Sequence, residues 1–355
     1  MENKNTINNQ KLYEKRKIRI GITGLIFGVV ATIFALAGSV FATVGTTLDF
    51  LHITVEVEQT AMVVLIYSII IVAVCDFFSG FLAMGFCATT KRNPVKEIKR
   101  TVKLPVSWFM CVGAFVAGPL GTSAALASYF MCGVTMGACV IAFTPLILSI
   151  LSKFVFKEKL SARVYIGICL LVAGTIYAGM APLDDMPLFY AGIACAFFSA
   201  ICFSVESLVG TYAADMIDEY IGCCFFRCFC SGIMCFILGI SVAALSGNME
   251  FFWQFFTGIF KYAPFLIITG MISNGGQYLL LYGALVKCGP ARTQAMIYTS
   301  PIWSIFIGLA GSAIFGDLYE YAYSTQTIIG AIIVAVATVI IVCKPSELVT
   351  LRDHQ

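Results

Sequence analysis

Histidine is nearly absent from this chain: two residues in 355, His52 and His354. Two histidines in polar flanking stretches cannot build a buried nucleophile–base triad, and His52 with Glu56 makes only a weak one-turn metal pair. Charge is scarce as well, at 12% of residues where an ordinary soluble domain carries roughly a quarter. No GxxxxGK phosphate loop occurs, which argues against direct ATP hydrolysis. The net charge of +3 is spread in short runs and forms no patch suited to nucleic acid. Fifteen cysteines would suggest disulfides in a small secreted domain, but here nearly all fall inside apolar runs, where Cys behaves as a small hydrophobe. Cys224 and Cys228 are one helical turn apart without paired CxxC spacing. Neither a metal site nor a cofactor is expected, and no enzyme chemistry is legible.

Apolar sequence is what the chain has in abundance: 60% of residues are hydrophobic and the mean hydropathy is +0.93. Crossing a hydrocarbon core of roughly 30 Å takes about 20 apolar residues. Ten runs qualify, near 20–46, 60–88, 104–131, 134–156, 162–181, 187–213, 220–246, 262–286, 290–315 and 325–343. The third and fourth are separated by Cys132-Gly133 alone, so a tight turn is expected at Gly133. The expectation is an all-α integral membrane protein. Its first run, Gly21 to Gly45, is too long for a cleaved signal.

Basic residues give the orientation. Lys4, Lys11, Lys15, Arg16, Lys17 and Arg19 precede the first run. Lys91 to Lys103 separate the second and third, Lys153 to Arg163 the fourth and fifth, and Lys287 and Arg292 the eighth and ninth. Lys344 and Arg352 follow the last. A ten-helix count puts all of these on one side. The opposite side holds Asp49, His52, Glu56, Glu58, Asp184, Asp185, Glu250, Asp317 and Glu320, with Lys261. Both termini are therefore expected in the cytoplasm.

The chain also echoes itself. Cys132-Gly133 precedes Pro145 by the interval at which Cys288-Gly289 precedes Pro301, 156 positions later. The same offset sets Gly118-Pro119 against Asn274-Gly275, and a looser match sets Gly24 against Gly192. Each proline is followed by an acidic residue, Glu158 or Asp317, and then by a small-residue helix. Five helices per half force the halves into opposite orientations. The expected organisation is a basic segment 1–19, repeats over 20–182 and 183–343, and a tail 344–355.

On these residues the chain resembles the drug/metabolite transporter superfamily, in particular its ten-helix EamA-like members, over essentially 20–343. The resemblance implies two inverted five-helix repeats in a bacterial-type inner (plasma) membrane. Helices one to four would rock against six to nine, moving a small organic metabolite, such as an amino acid, outward. The chain would work as a monomer or homodimer in the lipid bilayer. Other readings are an exchanger of phosphorylated or nucleotide-linked sugars, which would want several basic residues facing the cavity, and a non-transporting membrane enzyme or scaffold.

Ionisable residues inside spanning runs are functional candidates by default. Asp76, Glu206 and Arg227 qualify, with Arg227 expected to pair with Glu206 or, less easily, Asp76. The group reads as charge neutralisation or an inner gate, as a proton-exchanging carboxylate, or as a direct substrate contact. Ser273 to Tyr278 in the eighth run put Asn274, Gln277 and Tyr278 beside the adjacent Gly275 and Gly276. That stretch reads either as an interrupted helix at a midplane site, opposite Gly118 and Pro119, or as close packing. Gln294 and Tyr298 share a face of the ninth run, where Pro301 stands as Pro145 does in the fourth. Arg292 reads as a topology charge. Trp108, Tyr129 and Tyr282 offer stacking surface for a solute, or anchors at the membrane interface.

Overall fold

The computed structural model describes residues 2–47, 60–89, 93–132, 134–157, 160–178, 188–217, 220–262, 264–316 and 324–342, and every regular element among them is helical. Glu158, Asp317, Gly133, the segment 344–355 and the acidic loops with His52 lie outside the described residues, as does His354.

Helix α1, Glu2–Thr47, runs unbroken from the basic segment into the first apolar run, so residues 2–19 extend that helix. After it come α2, Ala61–Thr89, and a short α3, Pro94–Val102. Hydropathy missed α3 because it is amphipathic and charged. It is nucleated locally: Asn93 Oδ1 accepts from the amides of Val95 at 3.1 Å and Lys96 at 3.3 Å, and Pro94 opens the first turn. The third run is α4, Val106–Phe115, a π-helical stretch Val116–Thr122 containing Pro119, and α5, Ser123–Cys132. The fourth is α6, Val134–Ile141, and α7, Thr144–Val155. Then follow α8, Ala162–Ala178, α9, Phe189–Ile217, and α10, Tyr220–Leu245. Another unforeseen helix, α11, Met249–Tyr262, buries Phe251, Phe252, Phe255 and Ile259 against α2 while Glu250, Gln254 and Lys261 face out. The chain closes with α12, Pro264–Cys288, α13, Pro290–Ile297, α14, Ser300–Phe315, and α15, Thr325–Val342.

Eight of the ten expected runs are long and apolar enough to cross a membrane. Of the other two, α8 has 17 residues and α12 has Ser273, Asn274 and Gln277 at its centre. Large apolar side chains point outward all round: Phe154 is 75% exposed, Ile314 74% and Trp108 68%. A surface of that kind belongs in lipid, so this is a multi-pass membrane protein.

With lipid outside, helices associate by close packing, which favours small residues at contacts. Glycine sets those contacts here, and they recur in pairs, two of the three pairs at a fixed interval. A β-carbon on Gly24 of α1 would stand 2.7 Å from Lys287 Cβ and 3.0 Å from Cys288 Cβ of α12; one on Gly192 of α9 would stand 2.7 Å from Cys132 Cβ of α5. Gly80 of α2 packs on Phe229 of α10, and Gly232 of α10 packs on Phe77 of α2, both contacts related by 152 positions. Gly174 packs on Val334, and Gly330 on Ala178, related by 156. In all three arrangements the paired helices run antiparallel.

The prolines break their helices in the same way. Pro145 and Pro301 each occupy the first turn of a new helix, after α6 ends at Ile141 and α13 at Ile297. Positions 141 and 297, like 144 and 300, differ by 156. A proline cannot donate the backbone hydrogen bond that would continue the preceding helix, which explains the restart.

Candidate functional site

The strongest concentration of polar contacts surrounds Arg227, which α10 presents toward α2, α9 and α12 with no solvent exposure. Nη1 donates to Asp76 Oδ2 at 2.6 Å and Nε donates to Glu206 Oε1 at 2.8 Å. Nη2 donates to the Tyr278 hydroxyl and, at 3.4 Å, to Thr122 Oγ1. The guanidinium carbon lies 3.5 Å from the centre of the Tyr278 ring, in cation–π range. Ser231 Oγ donates to Asp76 Oδ2 at 2.6 Å, and the Tyr282 hydroxyl approaches Glu206 Oε1 at 3.5 Å. Three charges, four hydroxyls and two rings from α2, the π-helical stretch, α9, α10 and α12 thus gather around one guanidinium. A lysine could not do this, because only the planar fork of arginine presents donors to several partners at once.

The pairing goes beyond the sequence expectation. Asp76 was the less favoured partner, yet it makes the shorter contact, and Arg227 engages both carboxylates. Arg227 and Asp76 are fully buried and Glu206 is 4% exposed. Removing one partner of such a buried pair typically costs about 3–5 kcal/mol, since it leaves an uncompensated charge.

Glycine and the π-helical stretch make the approach. A side chain on Gly118 would collide with Ser231 Oγ and lie 3.3 Å from Asp76 Oδ2, so its absence admits the backbone to the cluster. Gly210 on α9 does the same for Tyr282, whose Cε1 would be 2.7 Å from a β-carbon there. At Gly118 and Pro119 the helix does not break but changes form, as the π-helical stretch Val116–Thr122 within a continuous helical run.

Of the two readings of Gly275 and Gly276, interruption or close packing, the structure shows the second. Both glycines lie within the continuous helix α12 and serve packing: Gly275 faces Leu82 and the Ser79 carbonyl oxygen, Gly276 the Phe34 ring. Where the backbone keeps its own hydrogen bonds, adjacent glycines need not open a helix. Asn274 and Gln277 are half-buried on the same helix, and neither joins the cluster; Tyr278 does.

A second polar locus lies between α7, α9 and α13. The Tyr298 hydroxyl donates to Thr144 Oγ1 at 2.9 Å, the Thr144 carbonyl oxygen accepts from Ser204 Oγ at 3.2 Å, and Gln294 Nε2 donates to Ser207 Oγ at 2.7 Å. Tyr298 and Thr144 stand at the two proline-marked helix breaks, so the breaks face one another. Tyr129 packs into the apolar cluster with Tyr298, Phe203 and Ile141, and it also touches Gly137. Trp108 is a correction: it faces outward at 68% exposure, away from both loci. Arg292 is another, because it is 3% exposed inside the first turn of α13 and is no surface topology charge.

Sequence reasoning missed Thr122 and Ser231. A signal for both existed. Phe77-Phe-Ser-Gly80 and Phe229-Cys-Ser-Gly232 repeat Phe-x-Ser-Gly at an interval of 152, and Thr122 precedes Tyr278 by 156. Thr122 and Tyr278 both contact Arg227 Nη2.

No family model matches the chain, and no curated protein matches it in sequence. Among solved structures 29 chains match. One of them, described only as the crystal structure of a protein, superposes over 93% of this chain and 97% of its own with a TM-score of 0.58 at 15% identity. At that identity the likeness is one of fold, over nearly the whole length of both chains.

Proposed function

We propose that the chain is a secondary transporter of the drug/metabolite superfamily, EamA-like, which moves a small organic metabolite by alternating access, most simply as an exporter of an amino acid or related compound. In this reading ten helices form two inverted five-helix repeats in the plasma membrane, with both termini cytoplasmic. Helices α8 and α12 complete the set of ten.

The observation that supports it most is the facing pair of helix breaks before Pro145 and Pro301, 156 positions apart, joined by the hydrogen bond from Tyr298 to Thr144. Discontinuous helices from two repeats, meeting across the repeat interface, are where such transporters build a solute site. The glycine contacts add support. Gly80 on Phe229 and Gly232 on Phe77 exchange places under one operation, and the helices they join are antiparallel, as an axis in the membrane plane requires. Gln294, Ser207, Thr144 and Tyr298 then offer hydrogen-bonding groups to a solute, and the Arg227 cluster is a latch between α2, α9, α10 and α12. An exchanger of phosphorylated sugars fits less well, because Arg227 is already engaged by two carboxylates.

The test is untargeted: cells expressing the chain, or its Tyr298→Ala/Gln294→Ala variant, are compared by profiling of solutes inside and outside. Solutes that accumulate outside are then assayed for counterflow in liposomes holding the purified protein. One chemically coherent class should move with the native chain and not with the variant. If no solute distribution differs from cells lacking the chain, the transport reading is wrong.

A further inference from the structure

The two oxygens of the Asp76 carboxylate are used unequally. Oδ2 accepts from Arg227 Nη1 and from Ser231 Oγ, both at 2.6 Å, whereas Oδ1 is buried with no hydrogen-bond partner. An ionised carboxylate oxygen is an acceptor only, and burying one idle is costly unless something comes to it.

The charge count points the same way. The titratable groups facing Asp76 are Arg227, Cys228 and Cys235 on α10, Glu206 on α9, Tyr278 on α12 and its own neighbour Cys75. Arg227 is the one cation among them. With both carboxylates ionised, one guanidinium leaves an excess negative charge, and no second cation faces the cluster among the described residues. Glu206 uses Oε1 for both Arg227 and Tyr282 and keeps slight exposure, so the fully buried idle acceptor in the cluster is Asp76 Oδ1.

The surroundings of Asp76 supply hard oxygen atoms. Ser231 Oγ is bonded to it, and Gly118 brings the π-helical backbone against it. Both approach at Oδ2, and Ser123 Oγ in turn donates to the Gly118 carbonyl oxygen at 3.2 Å. Among the described residues no three His, Cys, Asp or Glu side chains group as a transition-metal site. One carboxylate with hydroxyl and carbonyl oxygens suits a small, hard, singly charged ion instead.

We propose that Asp76 Oδ1 binds one monovalent cation, H⁺ or Na⁺, which balances the cluster. Binding there neutralises the excess charge and ties α2 to α10 through Asp76, Ser231 and Arg227 together. If the chain transports, this cation is its coupling ion; that extension rests on the transport reading, while the binding site itself does not.

The experiment measures binding without transport. Thermal unfolding of the purified full-length protein in detergent is followed at pH 8.5 as NaCl replaces choline chloride at constant ionic strength. It is then followed without Na⁺ from pH 8.5 down to pH 5.5. A ligand of the native state raises the melting temperature by mass action. A rise of several degrees with Na⁺ at fixed pH identifies sodium. A rise on acidification alone, lost again as the pH climbs, identifies the proton. Asp76→Asn should abolish whichever response the native chain shows. Ser231→Ala, which keeps every charge, should shift its midpoint at least tenfold in cation concentration, and it keeps the test decisive if Asp76→Asn fails to fold. A melting temperature indifferent to both cations, or responding equally in Asp76→Asn, overturns the site. That result would leave the solute-profiling test of transport untouched.

Discussion

Arg227 and Asp76 face each other across the α2–α10 contact, and neither has a charged counterpart at the interval of 152. The interval of 152 that carries Gly80 onto Gly232 puts Cys75 in the place of Arg227 and Cys228 in that of Asp76. The repeated frame thus provides the close approach of the helices, and the charges are an addition to one copy of it. An addition that buries two acids and a base is expensive to keep, which is why it is the first place to look for function.

Replacing Arg227 with Met should therefore destabilise the protein by about 3–5 kcal/mol, because two carboxylates are left without their donor. The triple variant Asp76→Asn/Glu206→Gln/Arg227→Met removes all three charges and should regain most of that loss. Thermal melts of the purified variants decide it. If the single and triple variants melt together, the cluster's charges do not hold the fold in the way its geometry implies.

Gly118→Ala should cost about 1–3 kcal/mol through overpacking against Ser231. The strain is specific to one neighbour, so Gly118→Ala/Ser231→Gly should recover part of it, beyond the sum of the two single changes. A double-mutant cycle on melting temperatures measures the coupling, and strict additivity would show that the π-helical stretch can shift freely.

Gly24 and Gly192 should behave as equivalents. Each lies against a cysteine that precedes a glycine, Cys288 for Gly24 and Cys132 for Gly192, with its β-carbon position about as close to backbone as to side chain. Because backbone cannot move aside, Gly24→Leu and Gly192→Leu should each lower the yield of folded protein severely. Gly85→Leu is the control, since nothing lies within 4 Å of a β-carbon there. Size-exclusion profiles of fluorescent fusions provide the readout, and a normal profile for either of the first two would contradict the close contact.

Trp108→Ala should leave solute flux and the Arg227 cluster unchanged, since the ring points into the lipid. Flux per molecule, corrected for expression, is the relevant measurement. A tenfold loss would return Trp108 to the site from which the structure removes it.

Much of the architecture was legible because lipid imposes it: ten long apolar runs all fall on helix, and the echo about Pro145 and Pro301 marks two identical breaks. Hydropathy could not see α3, which is mostly polar, or α11, whose 14 residues are too few to cross a membrane. Nor could the sequence decide Gly275-Gly276, since two glycines signal either a break or a close contact, and only the neighbours Leu82 and Phe34 decide which. The cluster's charged members were found by their cost in a membrane. Its hydroxyls, Thr122 and Ser231, have no such cost and become conspicuous only through their partners.

Thr144 and Tyr298 give the last and most discriminating expectation. Their hydroxyls are bonded at 2.9 Å, and each stands at a break that proline prevents from healing. Tyr298→Phe removes one donor, while Thr144 Oγ1 keeps its own donation to the Ile141 carbonyl oxygen at 2.6 Å. The loss in stability should thus be small, about 1 kcal/mol. If the two breaks swing apart during alternating access, the same bond is broken in each cycle, and weakening it should alter the rate of solute exchange several-fold with the melting temperature nearly unmoved. Thr144→Val should reproduce the rate change from the other side, and the double variant should add nothing further. Equal rates in all three and the native chain would mean that the breaks do not move relative to one another, and the site would then have to lie elsewhere along α12.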